Sequence, residues 1–320
     1  MAFLRNTVKK VTTIIPIDMG ILGLTKLVRK KTKMAIRNLS LDELEGKTLA
    51  IDISIWINQF CTTTAINGEE CIDSVITGIL SRLECMFRYS ITPLCVFDGS
   101  PPMEKGEEIR RRKETKVNLK AKAELTEDGE GRERLLRQSI RPSRELIHKL
   151  KDALVACNIP VRTAPSEAEA ECAKLCERNH AWGVISEDMD SLTFGASRLI
   201  RNFSNLAILE NRIELIDLEI LLKEMELTQT QFIDLCILCG CDYTGKVKGI
   251  GPVNAYKLIA EHKSIEGIKS RKPEGDFSQC DYETSRVLFS RPLISEKEIE
   301  FPNGKFTNVY SRKRKSFCFA

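Results

Sequence analysis

Three runs along the chain are apolar almost without interruption, and each meets an acid at its end. They are Thr48 to Ile53 (Thr-Leu-Ala-Ile-Asp-Ile), Pro93 to Asp98 (Pro-Leu-Cys-Val-Phe-Asp), and Trp182 to Ser186, which leads into Glu187, Asp188, Met189 and Asp190. Short continuous apolar runs predict strands buried on both faces, and the helical periodicity between them predicts crossover helices. Strands alternating with helices build an α/β fold around a mostly parallel sheet with right-handed connections. Ligand sites in such sheets form beyond the carboxyl ends of the strands, where these aspartates fall.

The pattern changes elsewhere. From Lys105 to Lys151 the chain is helix-prone and strongly charged, broken by Glu-Asp-Gly-Glu-Gly at 127 to 131, and reads as an insertion on the sheet. From Thr228 onward, helical sequence leads into Gly240 to Tyr243 and then Gly249-Ile-Gly-Pro252, followed by an amphipathic helix through Glu261. Residues 1–18 are basic with no acid before Asp18, which fits a transit-type leader or a start at Met19. Four regions result: an amino-terminal extension at 1–18, an amino-terminal region at 19–125, an internal region that holds the Gly-rich turn at 126–270, and a polar tail at 271–320 that carries Ser-Arg-Lys-Arg-Lys near its end.

With 320 residues, 42% of them hydrophobic, the chain can bury a sizeable core. Its 49 basic and 45 acidic residues leave a net charge of only +4, so an anionic partner has to be argued from where the charges cluster. The twelve cysteines show no disulfide-framework spacing and read as reduced thiols. Cys236, Cys239 and Cys241 lack the fourth ligand that a zinc site needs, so buried structural cysteines are the better reading. No apolar stretch is long enough to span a bilayer.

Seven acids carry the candidate chemistry: Asp52, Asp98, Glu167, Glu169, Asp188, Asp190 and Asp242. Phosphodiester hydrolysis needs an activated water and a stabilised leaving oxygen, and two metal ions about 3.5–4 Å apart supply both. Magnesium prefers oxygen ligands, so carboxylates without histidine suit it, with manganese able to substitute. The three histidines, His148, His180 and His262, read as surface residues. Each acid also has a plainer reading. A lone aspartate at a strand end often caps a turn or helix, and Ser166 with Glu169 fits a capping box. Residues two apart on a helix point about 200° apart, so spacing alone would pair Glu167 with Glu171 and leaves Glu169 open.

Two stretches carry candidate nucleic-acid contacts. Arg110, Arg111, Arg112, Lys113, Lys116, Lys120 and Lys122 face one acid within their stretch, Glu114, and form either a phosphate-tracking helix or a solvated helix face. Gly249 and Gly251, with Pro252 at the next helix start and Lys246 and Lys248 alongside, fit a helix-hairpin-helix whose backbone N–H groups meet phosphate.

Read together, Met19-Gly-Ile-Leu-Gly-Leu24, Val96-Phe-Asp-Gly99, Ala164-Pro-Ser-Glu-Ala-Glu-Ala170, Ser186-Glu-Asp-Met-Asp-Ser-Leu-Thr-Phe-Gly195 and Asp234-Leu-Cys-Ile-Leu-Cys-Gly-Cys-Asp-Tyr243 resemble the flap endonuclease branch of the structure-specific 5′ nucleases. The resemblance runs from Met19 to about residue 300. It implies a PIN-like nuclease core with a helical arch and a helix-hairpin-helix, cutting branched or flapped DNA in replication and repair. It implies that Asp52, Asp98, Glu167 and Glu169 serve one Mg²⁺ and that Asp188, Asp190 and Asp242 serve the second, favouring Glu169 over Glu171. It casts Lys105 and Arg112 as cations reaching the scissile phosphate. Arg110, Arg111 and Lys113 become arch contacts to DNA, Gly20 lies close to the DNA, and a K⁺ ion sits at the hairpin of Gly249 and Gly251.

The sequence departs from the family in places. Ser100 stands where the family commonly has lysine, and Asn58 stands where it has an aromatic that stacks on a base. The glutamine-and-aromatic motif that docks on a sliding clamp is not recognisable. The resemblance implies a nuclear monomer, or a mitochondrial protein if the extension is a leader. Within the family a 5′ exonuclease or gap nuclease is the alternative. Outside it, the alternative is a catalytically weak protein that binds branched DNA.

Overall fold

The computed structural model describes residues 21–299 except 22 and 272–275, so Gly20, the extension and half of the tail lie outside it. Seven strands form one sheet: β1 (Ile36–Asn38), β2 (Thr48–Asp52), β3 (Thr92–Phe97), β4 (Val161–Thr163), β5 (Gly183–Ile185), β6 (Arg198–Arg201) and β7 (Glu214–Asp217). Their order across the sheet is β1-β7-β6-β5-β2-β3-β4. The five strands from β6 to β4 pair in parallel, while β7 joins β6 and β1 antiparallel. The predicted third strand is thus present as the shorter Gly183–Ile185. The strands of the predicted regions 19–125 and 126–270 share this one sheet.

The continuous apolar character of the strands follows from burial on both faces. Ala50, Leu94, Val96, Val184 and Leu199 pack into the core on one side. Their neighbours Leu49, Ile51, Cys95, Phe97, Ile185 and Ile200 pack into the core on the other. The alternation is the two-residue period of a pleated strand with helices on each face.

Because β5, β2 and β3 are adjacent and parallel, their carboxyl ends lie side by side. Asp52 ends β2, Asp98 directly follows β3, and the 186–190 turn directly follows β5. The turn after β3 is pressed against the segment that follows β4. A Cβ on Gly99 would stand 2.0 Å from the Ala164 carbonyl oxygen, so only glycine fits there.

The charged insertion is a helical hairpin, Gly106–Glu124 packed on Gly129–Ser139. The breaker at 127–131 supplies the second helix's cap, since the Asp128 carboxylate accepts from Glu130 N and Gly131 N. Further on, the helices Gln229–Cys239 and Pro252–His262 flank the hairpin of Gly249 and Gly251. Gly249 has φ +80°, a left-handed conformation that a side chain would strain. None of the described cysteines forms a disulfide, and Cys236 and Cys239 are buried thiols. No helix among the described residues is long and apolar enough to cross a membrane.

Candidate active site

The strand ends and the helical hairpin enclose a cleft of about 270 Å³, lined by Asp52, Asp98, Glu167, Glu169 and Asp188 together with Lys105 and Arg112. Asp190 and Asp242 lie against its lining residues: Glu169, Asp188 and Asp190 each present an oxygen within 4.8 Å of the others, and Asp242 Oδ2 lies 3.2 Å from Lys105 and 2.8 Å from Arg112. The structure therefore brings all seven predicted acids and both predicted cations to one place.

Each acid is set by its local backbone. Asp52 caps the helix Ile53–Thr64 through Ser54 N at 3.1 Å, so its capping reading and its site reading hold together. Asp98 accepts from Ser54 Oγ at 2.6 Å and from Ala168 N at 2.9 Å. It thus caps the helix Ala168–Glu177, where the sequence suggested a box between Ser166 and Glu169. The first residue before that helix is Glu167, and its own side chain makes no cap. Glu167 has extended backbone, φ −97° and ψ 137°, so it lies outside the helix and helical spacing does not govern it. Glu171 turns away from the cleft to pair with Arg162 at 2.5 Å and to accept from Ser295 N at 2.8 Å. In the 186–190 turn, Ser186 Oγ accepts from Asp188 N, and Asp188 Oδ1 accepts from Asp190 N at 2.9 Å.

Electrostatic tension in this nest is high. Burial, together with the charges of Asp98 and Asp188, raises the Asp52 carboxyl well above its ordinary range. Burial and Asp188 do the same to Glu169, and burial with Asp188 and Asp242 to Asp190. Asp190 is 2% exposed, and its Oδ1 has no hydrogen-bond partner. A buried carboxylate oxygen without a donor, facing two other carboxylates, suits a cation ligand. The all-oxygen donor set suits a hard divalent metal.

The protein's own cations answer part of the charge. Lys105 Nζ pairs with Glu167 Oε1 and lies 3.2 Å from Asp242 Oδ2. Burial alone would lower Lys105, but Glu169, Glu167 and Asp242 outweigh it and hold the ammonium above the usual lysine range. Arg112 Nη2 meets the same Asp242 oxygen at 2.8 Å, while its Nε donates to Glu108 at 2.6 Å. The second oxygen of Glu167 accepts from the buried phenol of Tyr243.

Tyr243, Ser54 and Glu108 are site residues that sequence reasoning missed. A signal existed for two of them: Tyr243 directly follows Asp242, and Glu108 lies four residues before Arg112. Ser54 Oγ meets Asp98 across 44 residues of sequence, which no local pattern reveals. Of the predicted DNA contacts, Arg110 pairs loosely with Glu107 and Glu114 at 3.7 and 3.6 Å, and Arg111 pairs with Glu108 at 2.6 Å. Lys113 is exposed on the same helix. His148 and His180 are exposed, but the His262 ring is 5% exposed, contrary to its surface reading, because it ends the second hairpin helix facing inward. No histidine lines the cleft.

Residues 19–119 match the XPG N-terminal domain and residues 158–242 match the XPG I-region, which together carry all seven acids and both cations. The fold also matches the catalytic core of Rad2 in complex with DNA substrate, with TM-score 0.71 and 27% identity, covering 92% of this chain and 93% of that one. These findings define a structure-specific nuclease that acts on DNA phosphodiesters.

The chain belongs to the flap endonuclease family. It is 37% identical over 302 residues to flap endonuclease 1-A of Sorghum bicolor, across 90% of this chain and 79% of that one. It also matches the structure of flap endonuclease-1 from Methanococcus jannaschii, with 25% identity and TM-score 0.63, covering 88% of this chain and 94% of that one.

Proposed function

We propose that this chain hydrolyses a phosphodiester at 5′ flap junctions with two Mg²⁺ ions held by Asp52, Asp98, Glu167, Glu169, Asp188, Asp190 and Asp242. The observation that carries the proposal is the convergence of Glu169, Asp188 and Asp190 within 4.8 Å, with Asp190 Oδ1 buried and unpaired. When bound, such ions lower the pKa of a water and offset charge on the leaving oxygen.

The remaining work falls to the chain's own residues. Asp98 is held at both oxygens, by Ser54 and Ala168, so its orientation is fixed before any ligand arrives. Glu167 is fixed the same way by Lys105 and Tyr243. Glu169, Asp188 and Asp190 are left as the inner donors. Lys105 and Arg112 line the cleft beside them, where cations stabilise the charge that develops on a phosphoryl group under attack. In the DNA-free state both are paired with Asp242, so an arriving phosphate has to compete with that carboxylate for them.

The helical hairpin above the cleft suits a single-stranded flap, and Arg110, Arg111 and Lys113 on it serve as phosphate contacts. Gly249 and Gly251 present backbone N–H groups to the phosphates of the duplex, and a K⁺ ion at that hairpin would balance phosphate charge. The protein acts as a monomer in the nucleus, or in mitochondria if residues 1–18 serve as a leader; their basic, acid-poor composition supports the second address.

The test compares protein starting at Met1 with protein starting at Gly20 on labelled 5′-flap, nicked and single-stranded DNA with Mg²⁺. Cutting at the flap junction in preference to the other two is expected. Equal cutting of single strands and flaps would overturn junction specificity, and slower cutting by the Met1 form would show that the extension obstructs the site.

A further inference from the structure

The helix Leu24–Lys31 has a charge pattern that its own fold does not explain. Its sequence, Leu-Thr-Lys-Leu-Val-Arg-Lys-Lys, contains four cations and no acid, and Lys33 stands just beyond the Thr32 cap. Cations in a last turn complement the helix dipole, which accounts for Arg29, Lys30 and Lys31. Lys26 does not fit that account. It stands in the first turn, where a positive charge opposes the dipole, and four residues before Lys30, where like charges repel.

Relief from neighbouring elements is small. Arg29 pairs with Glu214 on β7 at 2.5 Å, and the Lys31 ammonium lies 4.4 Å from the centre of the Tyr256 ring. Lys26 and Lys30 are exposed and make no ion pair among the described residues. The nearby Glu224 carboxylate is occupied by the backbone N–H groups of Lys33, Met34 and Ala35 at 3.0 to 3.2 Å. The hairpin helix over the cleft behaves differently. There Glu107, Glu108 and Glu114 are interleaved with Arg110, Arg111 and Arg112 and pair with them.

The position of this helix says which anion would relieve it. Its start lies against the helix-hairpin-helix: a Cβ on Gly23 would stand 3.2 Å from Pro252 Cγ. Its end reaches Tyr256, one turn along the same hairpin helix. The lysines therefore extend the exposed basic surface of Lys248 and Lys257 along about 12 Å, the length of eight helical residues. An anion that spans this surface must be extended and regularly charged, as the backbone of duplex DNA is.

We infer that Lys26, Lys30 and Lys33 form a second phosphate-contact surface that grips the duplex beyond the helix-hairpin-helix. The inference rests on the proposed function, since that reading places a duplex on the hairpin. The surface is independent of the cleft and of the arch.

The experiment measures equilibrium binding of wild type and a Lys26→Gln/Lys30→Gln/Lys33→Gln variant to flap DNA in Ca²⁺ between 50 and 300 mM salt. Each lost phosphate contact lowers the slope of log affinity against log salt by about 0.9, so three should lower it by roughly 2 to 3. The same comparison is then repeated while the duplex held by the hairpin is shortened stepwise. The gap between wild type and variant should vanish at a length that still binds through Gly249 and Gly251. A single Lys26→Gln change, which removes one contact and relieves the helix, should lower the slope by about 0.9 and raise the melting temperature.

An unchanged slope in the triple variant would overturn the inference. So would a gap that persists at every duplex length, which would assign the lysines to a diffuse field. If wild type fails to prefer flap substrates over single strands, the proposed function fails instead, and the salt slopes on plain duplex still test the surface.

Discussion

Asp190→Asn should make the metal-free protein more stable, although it removes a residue assigned to the site. Asp190 is 2% exposed, its Oδ1 has no donor, and Asp188 and Asp242 repel it. Leaving a buried polar group unsatisfied costs about 1–3 kcal/mol, and more when the group is charged. In a domain of this size each kcal/mol moves the melting temperature by about 2–4 °C, so a rise of roughly 2–12 °C is expected in EDTA at neutral pH.

The pH dependence has a definite sign. Burial and the neighbouring charges raise the folded pKa above the ordinary 3.8. Between those two values the native state binds more protons than the unfolded state, so wild-type stability falls as pH rises through that window. Asparagine does not titrate, so the advantage of the variant should be small near pH 4 and grow towards pH 7. Saturating Mg²⁺ should reverse the order. A ligand at 100 times its Kd adds about 2.7 kcal/mol to a protein that binds it, and the variant would bind less. Thermal unfolding in EDTA and in Mg²⁺ across pH 4–8 measures all of this. A variant that melts at or below wild type in EDTA at pH 7, or a gap that Mg²⁺ leaves unchanged, would refute the reasoning.

Three further outcomes follow from individual contacts. Tyr243→Phe removes the phenol that donates to Glu167 while keeping the ring packed on Phe289 at 5.0 Å; urea unfolding should show a loss of about 1.5–3 kcal/mol, the range for a hydrogen bond to a charged group. Glu266, held down to about 2 mainly by its hydrogen bonds to Arg286, adds stability that is full above its ordinary 4.5 and disappears as pH falls through about 2; the deficit of Glu266→Gln in unfolding midpoints should therefore shrink across that window. Gly249→Val forces a branched side chain to φ +80°, which should cost about 1–2 kcal/mol in thermal unfolding and weaken binding to plain duplex.

What the sequence showed depended on how local the signal was. The acids of Asp52, Asp98 and the 186–190 turn were visible because each ends an unbroken apolar run, and parallel pairing then carries three separate strand ends to one edge. β1 and β7 were not visible. Ile36–Asn38 and Glu214–Asp217 are short and pair antiparallel at the sheet margin, so neither has an apolar run. Glu169 and Glu171 could not be separated by spacing because Glu167 sits in extended backbone before the helix, and the choice is made by Arg162, which takes Glu171 away from the cleft. The pairing of Arg112 with Asp242 joins residues 130 apart, so the neutralisation of the basic helix by the site's own acid had no trace in the local pattern.

The most direct test compares Glu169→Gln with Glu171→Gln in single-turnover cleavage of a 5′-flap duplex across a Mg²⁺ titration, with DNA binding measured separately in Ca²⁺. The two residues lie on one short helix, carry the same charge and differ in which side of it they face. Glu169→Gln should lose nearly all cleavage at every Mg²⁺ concentration while still binding DNA. Glu171→Gln should cut at close to the wild-type rate, with a lowered melting temperature from the lost pair with Arg162. Near-normal cutting by a folded Glu169→Gln protein would contradict the assignment of the acidic nest as the site of cleavage.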